Sequence, residues 1–218
     1  MIELNNVTLT TITSVNEHDA LKALKYSMKG IEFGDVKFFS HSKFNENKIN
    51  NIQIPKIDLN EYSRFIVYEL HKFINTEFCL IIQGDGFVVN PSKWNSDFLN
   101  YDYIGAPWSI PQDTFSYRDP MGNLVRVGNG GFSLRSKKLL ALATELDLPW
   151  KSYYGYYNED GFFTCNNRAI YEENGCRFAP LEVAKYFSHE CFIPELLGIE
   201  PFGFHGRGSK YMQLLNNI

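Results

Sequence analysis

Much of what would commit a sequence early to a large class of functions is missing from this chain. Its four cysteines, Cys79, Cys165, Cys176 and Cys191, form no CxxC pair. That spacing argues against a zinc site and reads as reduced, packed thiols in a cytoplasmic protein. No apolar stretch is long enough to span a bilayer, and the N-terminus lacks the charged and apolar regions of a signal peptide. The formal net charge is −4 and no Lys/Arg run offsets it, so there is no electrostatic footprint for nucleic acid. Neither a GxGxxG fingerprint nor a P-loop occurs, which leaves dinucleotide and Walker-type binding unsupported. Repeats, low-complexity tracts and linkers are absent too, and 218 residues then suit one large domain with a substantial core.

Aromatic residues, by contrast, are abundant: 16% of the chain, with 13 Tyr and 18 Phe. They suit an aromatic-lined cleft and equally a bulky core. The most telling segment is Cys79-Leu80-Ile81-Ile82-Gln83-Gly84-Asp85-Gly86. Its apolar run without polar alternation predicts a strand buried on both faces, as in the middle of a parallel sheet. The run ends at a carboxylate between two glycines, where open α/β sheets bind ligands and where a bulky anion or hydrated metal would meet no side chains. A tight turn in which Asp85 only caps its neighbours is the alternative.

The first half alternates strand and helix. Val7 to Ile12 reads as a strand, with Ser14 and Asn16 as cap candidates for a helix bearing Ala20, Leu21, Leu24 and Met28, and Gly30 at its end. Val36 to Phe39 and Ile52 to Ile54 read as strands. Tyr62 to Ile74 has helical spacing and leads into the strand before Asp85. This is the signature of a parallel sheet with crossover helices, an α/β fold. The second half is looser: a strand at Tyr101 to Ala106, a mobile Pro/Asp/Gly-rich loop from Ile110 to Asn123, a strand from Val125 to Leu134 interrupted by glycines, a helix capped by Ser136, and a helix over Phe162 to Glu173. A nucleotide-binding half over about 1–100 and an acceptor and catalytic half over about 101–218 make up the single domain.

Further segments carry candidate chemistry. Gly128-Asn129-Gly130-Gly131 inside a strand predicts either a bulge or the close approach of a ligand. Asn158-Glu159-Asp160-Gly161 precedes a helix, so its acids either complement the helix dipole or supply a general base. His205, in Phe202-Gly203-Phe204-His205-Gly206, is bracketed by small residues as Asp85 is, and the two would suit a shared divalent cation. Phe187-Ser188-His189-Glu190 shows no spacing of a nucleophilic triad and is set aside.

In this order, the strand ending at Asp85, YDYIGAPW, GNGGFSLRS, NEDGFF and FGFHG resemble a bacterial family of uncharacterised glycosyltransferases, and more broadly the GT-A class of nucleotide-sugar-dependent enzymes. The resemblance spans roughly residues 7 to 206. It implies a GT-A-like, Rossmann-like, mostly parallel central sheet flanked by helices. It implies a nucleotide-diphosphate sugar as donor and a glycan, lipid-linked or other hydroxyl compound as acceptor. It implies Mn²⁺ or Mg²⁺ held by Asp85 and His205, donor contacts from Thr10, Thr11, Thr13, Arg64, Gln83, Gly84, Asp85, Gly130 and Gly131, and Asp160 or Glu159 on the acceptor side as the base of an inverting reaction. Trp108 and Tyr156 would stack on a sugar or pack. One position departs from the pattern: the first acid of the D-x-D turn is Gln83 here. Two expectations therefore stay open, a weaker metal site or a diphosphate whose charge is met in part by Arg or Lys.

Two rival readings share this scaffold. A sugar-phosphate nucleotidyltransferase needs a glycine-rich basic loop after the first strand, where this chain has Thr13-Ser14-Val15-Asn16-Glu17. A degenerate transferase fold that binds sugar or nucleotide without turnover is the other, and Gln83 is what favours it.

Overall fold

A computed structural model of the chain describes residues 1–151 and 158–217; Tyr156 lies outside the described residues. The elements are, in order, β1 (Ile2–Thr13), α1 (Glu17–Ser27), β2 (Ile31–Ser40), β3 (Asn50–Gln53), α2 (Leu59–Tyr68), β4 (Phe78–Ile82), β5 (Gly86–Val88), β6 (Tyr103–Ile104), β7 (Phe132–Ser136), α3 (Lys137–Glu145), the single turn α4 (Glu159–Gly161), α5 (Arg168–Glu173), α6 (Leu181–Phe187), β8 (Ser188–His189) and β9 (Gly203–His205). Six strands form one sheet in the order β3-β2-β1-β4-β7-β6. Its first four strands run parallel, and β7 is antiparallel to both β4 and β6. This is the α/β, mostly parallel architecture that the sequence predicts.

The continuous apolar run of β4 follows from helices on both faces of the sheet. Leu80 and Ile82 pack into a cluster with Ala20, Leu21 and Leu24 of α1. Cys79 and Ile81 point the other way, to Ile66 and Val67 of α2 and Leu139 and Leu140 of α3. Alternate residues of a strand face opposite sides, so a strand covered twice needs apolar residues at every position. Cys79, Cys165 and Cys176 are buried and Cys191 is exposed, all as free thiols. No helix among the described residues is long and apolar enough to cross a membrane.

Several local expectations are corrected. Neither Ser14 nor Asn16 caps α1: Asn16 sits at the cap position with φ 51° and no side-chain bond. The Ser14 hydroxyl instead donates to the Ile57 carbonyl and accepts from the Ile57 amide. Helix α2 begins earlier than periodicity suggests, because Asp58 and Glu61 form a reciprocal capping box at its start. The helix read over Phe162 to Glu173 is broken into a π-helical turn, Phe162–Asn166, and α5. The break is a wide turn in which the Asn167 amide donates to the Phe162 carbonyl, five residues back. Residues 125–131 do not extend β7, which starts only at Phe132. Ser136 does cap α3, accepting from the Leu139 amide.

A second, small sheet has the order β5-β9-β8. Strand β5 leaves the turn after β4 and pairs antiparallel with β9. The loop ends of the central sheet and the C-terminal strand are thereby held in a fixed register.

Candidate active site

The turn after β4 closes with the Gly86 amide donating to the Gln83 carbonyl. Gly86 lies opposite His205 in the β5–β9 ladder, and the Gly206 amide donates to the Asp85 carbonyl. Residues 122 positions apart in sequence therefore meet: His205 Nε2 is 3.1 Å from Gln83 Oε1 and 3.5 Å from Asp85 Oδ1. The Gln83 amide nitrogen is spent on the Tyr62 hydroxyl at 3.0 Å, which turns its oxygen toward the imidazole. On the other side of the ring, Nδ1 lies 3.4 Å from Glu190 Oε1 and 3.3 Å from Asn129 Nδ2. Burial opposes charge on His205, but the two carboxylates outweigh it and raise its pKa to about 9. The bond from His205 holds Asp85 below the usual carboxylate range.

The glycines around this turn make room for protein atoms. A Cβ on Gly84 would press on the α1 backbone at Ala20, and one on Gly86 on the Phe204 and Gly131 carbonyls. At Gly131 it would overlap the His205 ring, and at Gly130 the Glu159 carboxylate. The glycine-rich segment is thus small because the His205 and Glu159 side chains occupy the space beside it.

Two clefts flank His205. The first, about 510 Å³, is lined by Thr11, Thr13, Tyr62, Gln83, Asp85 and Arg207 among others, at the sheet edge where α/β folds bind ligands. Of the expected donor contacts, Thr11, Thr13, Gln83, Gly84 and Asp85 line it. Thr10 does not: it is fully buried and donates to the Lys37 carbonyl. Arg64 is exposed on α2, with its guanidinium over the rings of Tyr68 and Trp150. The second cleft, about 350 Å³, is lined by Trp108, Tyr117, Asn129, Asp160 and Glu190 among others.

The two acids of the NED segment diverge. Glu159 turns inward to Arg135, Nη2 to Oε1 at 2.9 Å, and lines neither cleft. Arg135 has no exposed surface. Its Nε donates to Ser133 Oγ, and its guanidinium lies 5.0 Å from the Tyr103 ring centre and 5.1 Å from that of Phe163. Asp160 faces the second cleft, accepting from the amides of Gly161 (2.7 Å) and Gly130 (3.3 Å). Loss of water, then the neighbouring charge of Glu159, push its carboxyl up to about 7. A carboxylate poised near neutrality in a cleft has the proton affinity a general base needs.

Among the described residues no group of three or more His, Cys, Asp and Glu side chains is arranged to hold a metal ion. Gln83, Asp85 and His205 nevertheless present two oxygens and a nitrogen to one another at 3.1 and 3.5 Å. Neighbouring donors around a six-coordinate Mg²⁺ stand about 3 Å apart, given metal–oxygen distances of about 2.1 Å. Glu190 on Nδ1 stands where an outer partner would orient a ligating histidine. Once its proton is displaced, His205 completes with the Gln83 and Asp85 oxygens a donor set that fits a divalent cation, with a neutral amide oxygen as its third member. Glu190 and Asn129 had no local signal in the sequence, because their role exists only once β9 brings His205 between the clefts.

The fold and these paired clefts define an α/β domain of the GT-A class of architecture. Among solved structures the chain is similar to a glycosyltransferase involved in glycosylation of the major capsid of PBCV-1 (TM-score 0.51, 15% identity, 100% of both chains covered). It is also similar to the galactosyltransferase LgtC in complex with donor and acceptor sugar analogues (TM-score 0.58, 13% identity, 97% of this chain and 94% of that one). An active-site mutant of LgtC aligns equally well (TM-score 0.57, 13% identity, the same coverage). At such identities the likeness is one of fold. Comparison with curated proteins gives no match. The chain belongs to the family described as "Protein of unknown function (DUF5672)", whose model matches residues 40–205.

Removing one partner of the buried ion pair strands a charge in the interior. Glu159→Ala should therefore destabilise the fold by about 3 kcal/mol or more, read as a denaturation midpoint. A change within about 0.5 kcal/mol would contradict the assignment of Glu159 to structure. Gly131→Val should displace His205 and cost stability as well.

Proposed function

We propose that this protein is a glycosyltransferase that moves a sugar from a nucleotide-diphosphate donor in the first cleft to a hydroxyl acceptor in the second. One observation carries the reading: His205 contacts Gln83 and Asp85 of the first lining and Asn129 and Glu190 of the second, so one polar junction links the two clefts. A donor whose anomeric carbon lay at that junction would have its diphosphate against the first group and its reacting face toward Asp160.

Gln83, Asp85 and His205 would hold Mn²⁺ or Mg²⁺. When bound, such a cation would neutralise charge developing on the departing diphosphate. Arg207, exposed and 3.8 Å from Asp85, adds a positive group beside that place. Thr11 and Thr13 line the first cleft and would meet the nucleoside. Asp160 would take the proton of the attacking hydroxyl as its oxygen bonds to the anomeric carbon and the sugar–phosphate bond breaks. Direct attack from the opposite face inverts the anomeric configuration. Glu159 positions this base through its bond to Arg135.

Gln83 in place of an acid favours a second reading, a sugar- and nucleotide-binding protein without turnover. Release of nucleoside diphosphate from any donor in a nucleotide-sugar panel supports transfer, and binding without release supports the alternative.

Asp160→Asn should bind donor as the wild type does yet transfer sugar about a hundredfold more slowly or worse. Near-normal turnover with a verified acceptor would remove Asp160 as the base. The base form is lost below its pKa, so kcat/KM should fall about tenfold per unit as pH drops below about 7. The same group makes a stability prediction of defined sign. A carboxyl with a raised folded pKa destabilises the fold progressively as pH rises from its unfolded value toward its folded one. Asp160→Asn should hence raise Tm at about pH 8 and leave it unchanged near pH 3.

Asp85→Ala should abolish most cation-dependent binding of nucleoside diphosphate, and His205→Ala should weaken it less. Calorimetry with Mn²⁺ and with chelator decides this. Equal affinities in both conditions, for wild type and variants alike, would remove the cation from the scheme.

A further inference from the structure

The second cleft has a wall that a proton-accepting carboxylate does not require. Residues 107–127 leave the sheet after β6 and return as an irregular hairpin, with Pro107 bridged to Val127 and Arg118 to Leu124. Within it Trp108 is 5% exposed and stacks on Tyr117, ring centres 4.4 Å apart and planes 17° from parallel. The Trp108 edge fills the space left by Gly128, where a Cβ would overlap it. Tyr117 adopts φ 53°, a left-handed conformation costly for a bulky residue and kept only where surroundings enforce it. Both rings line the cleft.

The lining also includes Asn166, presented by the π turn, a device frequent at functional sites. Asn166 Oδ1 and Arg118 Nε, both of lining residues, are buried polar atoms with no hydrogen-bond partner among the described residues. Such groups are costly unless something completes them. The cleft thus offers a flat aromatic wall together with an unmet acceptor and an unmet donor. Asn129, Asp160 and Glu190 add further hydrogen-bonding groups. Flat apolar faces edged by hydroxyls are the property of a pyranose ring. Above pH 7, where Asp160 is ionised, two carboxylates line the cleft against one guanidinium, whose Nη1 already donates to the Gly122 carbonyl at 3.0 Å; His205, in contact with Glu190, lies outside the lining. That balance disfavours a ligand bearing its own carboxylate or phosphate.

We propose that the second cleft takes the terminal ring of an uncharged pyranoside acceptor against the Tyr117–Trp108 stack, and that the 107–127 hairpin sets acceptor choice. The acceptor role rests on the reading of Asp160 as base; the sugar site itself does not.

Intrinsic fluorescence of the full chain, titrated with methyl glucoside, galactoside and mannoside and with the matching uronides, tests this. At least one neutral glycoside should give a saturable change that Trp108→Phe removes. At pH 8, with Asp160 ionised, its uronide should bind about tenfold more weakly or worse. Tyr117→Gly, which suits the positive φ while deleting the ring, should keep Tm and weaken the neutral glycoside about tenfold. The proposal is overturned if no neutral glycoside binds, if the uronide binds as tightly, or if folded Tyr117→Gly binds like wild type. The uronide comparison needs no variant and stands even if both variants fail to fold. Nucleoside diphosphate binding, measured by calorimetry on the same samples, reads the first cleft separately. Its failure with glycoside binding intact would sink the transfer reading and uphold this one; the reverse would sink this one alone.

Discussion

Placing the guanidinium of Arg135 on a strand with no exposed surface constrains everything around it. A buried charge is tolerated only with a close counter-charge and further hydrogen bonds, and here Glu159 and Ser133 supply them. The rings of Tyr103 and Phe163 supply aromatic faces. Each partner then loses its freedom to change. Ser133 must be polar because it accepts from the Arg135 Nε, and Gly130 must lack a side chain because the Glu159 carboxylate fills that space. Glu159 ties α4 to β7, and the residue after it, Asp160, is thereby delivered to the second cleft. The same carboxylate charge helps to raise the Asp160 pKa. A structural ion pair and a candidate catalytic group are two ends of one three-residue arrangement.

The second constraint is the register of β5 against β9. A slip of one residue would turn His205 to the opposite face of the small sheet, since alternate residues point to opposite sides. Its contacts with Gln83, Asp85, Asn129 and Glu190 would be lost together. Three features oppose that slip. The Gly206 amide is bonded to the Asp85 carbonyl, Gly203 accommodates the Phe132 ring, and Phe204 meets Phe87 edge to face with ring centres 4.7 Å apart. The aromatic wealth of the chain is used here largely as core: Phe98, Phe132, Phe187 and Phe202 contact one another beneath the small sheet.

What could be read from the sequence was what local chemistry controls. The buried strand before Asp85 declared itself because two covered faces leave no polar positions. Ser136 declared its cap because an N-cap bond spans only three residues. The glycines of residues 128–131 were visible as an anomaly, but their cause was not, since Trp108, Glu159 and His205 reach them from distant segments. Asp58 and Glu61 were legible as a capping box and were masked by the apolar spacing that begins at Tyr62. Glu190 and Asn129 carried no signal of their contact with His205. Their positions follow from β9 entering between the clefts, a long-range pairing that no window of sequence encodes. The divergence of Glu159 from Asp160 was likewise invisible, because adjacent acids look equivalent until one of them finds a buried arginine.

Gln83 illustrates how the junction balances charge. The imidazole of His205 already has a carboxylate on each side, Asp85 and Glu190. A third at position 83 would add negative charge to the face that a diphosphate would have to approach. The amide keeps an oxygen directed at His205 while its nitrogen donates to the Tyr62 hydroxyl, a donation no carboxylate can make. Tyr62 belongs to α2, whose start is locked by the Asp58–Glu61 box, so the amide is oriented by a rigid element and its oxygen is directed without loss of rotamer freedom at binding. The substitution exchanges charge for orientation. With one carboxylate in the turn and Arg207 beside it, that face carries less negative charge than an acid at position 83 would give it.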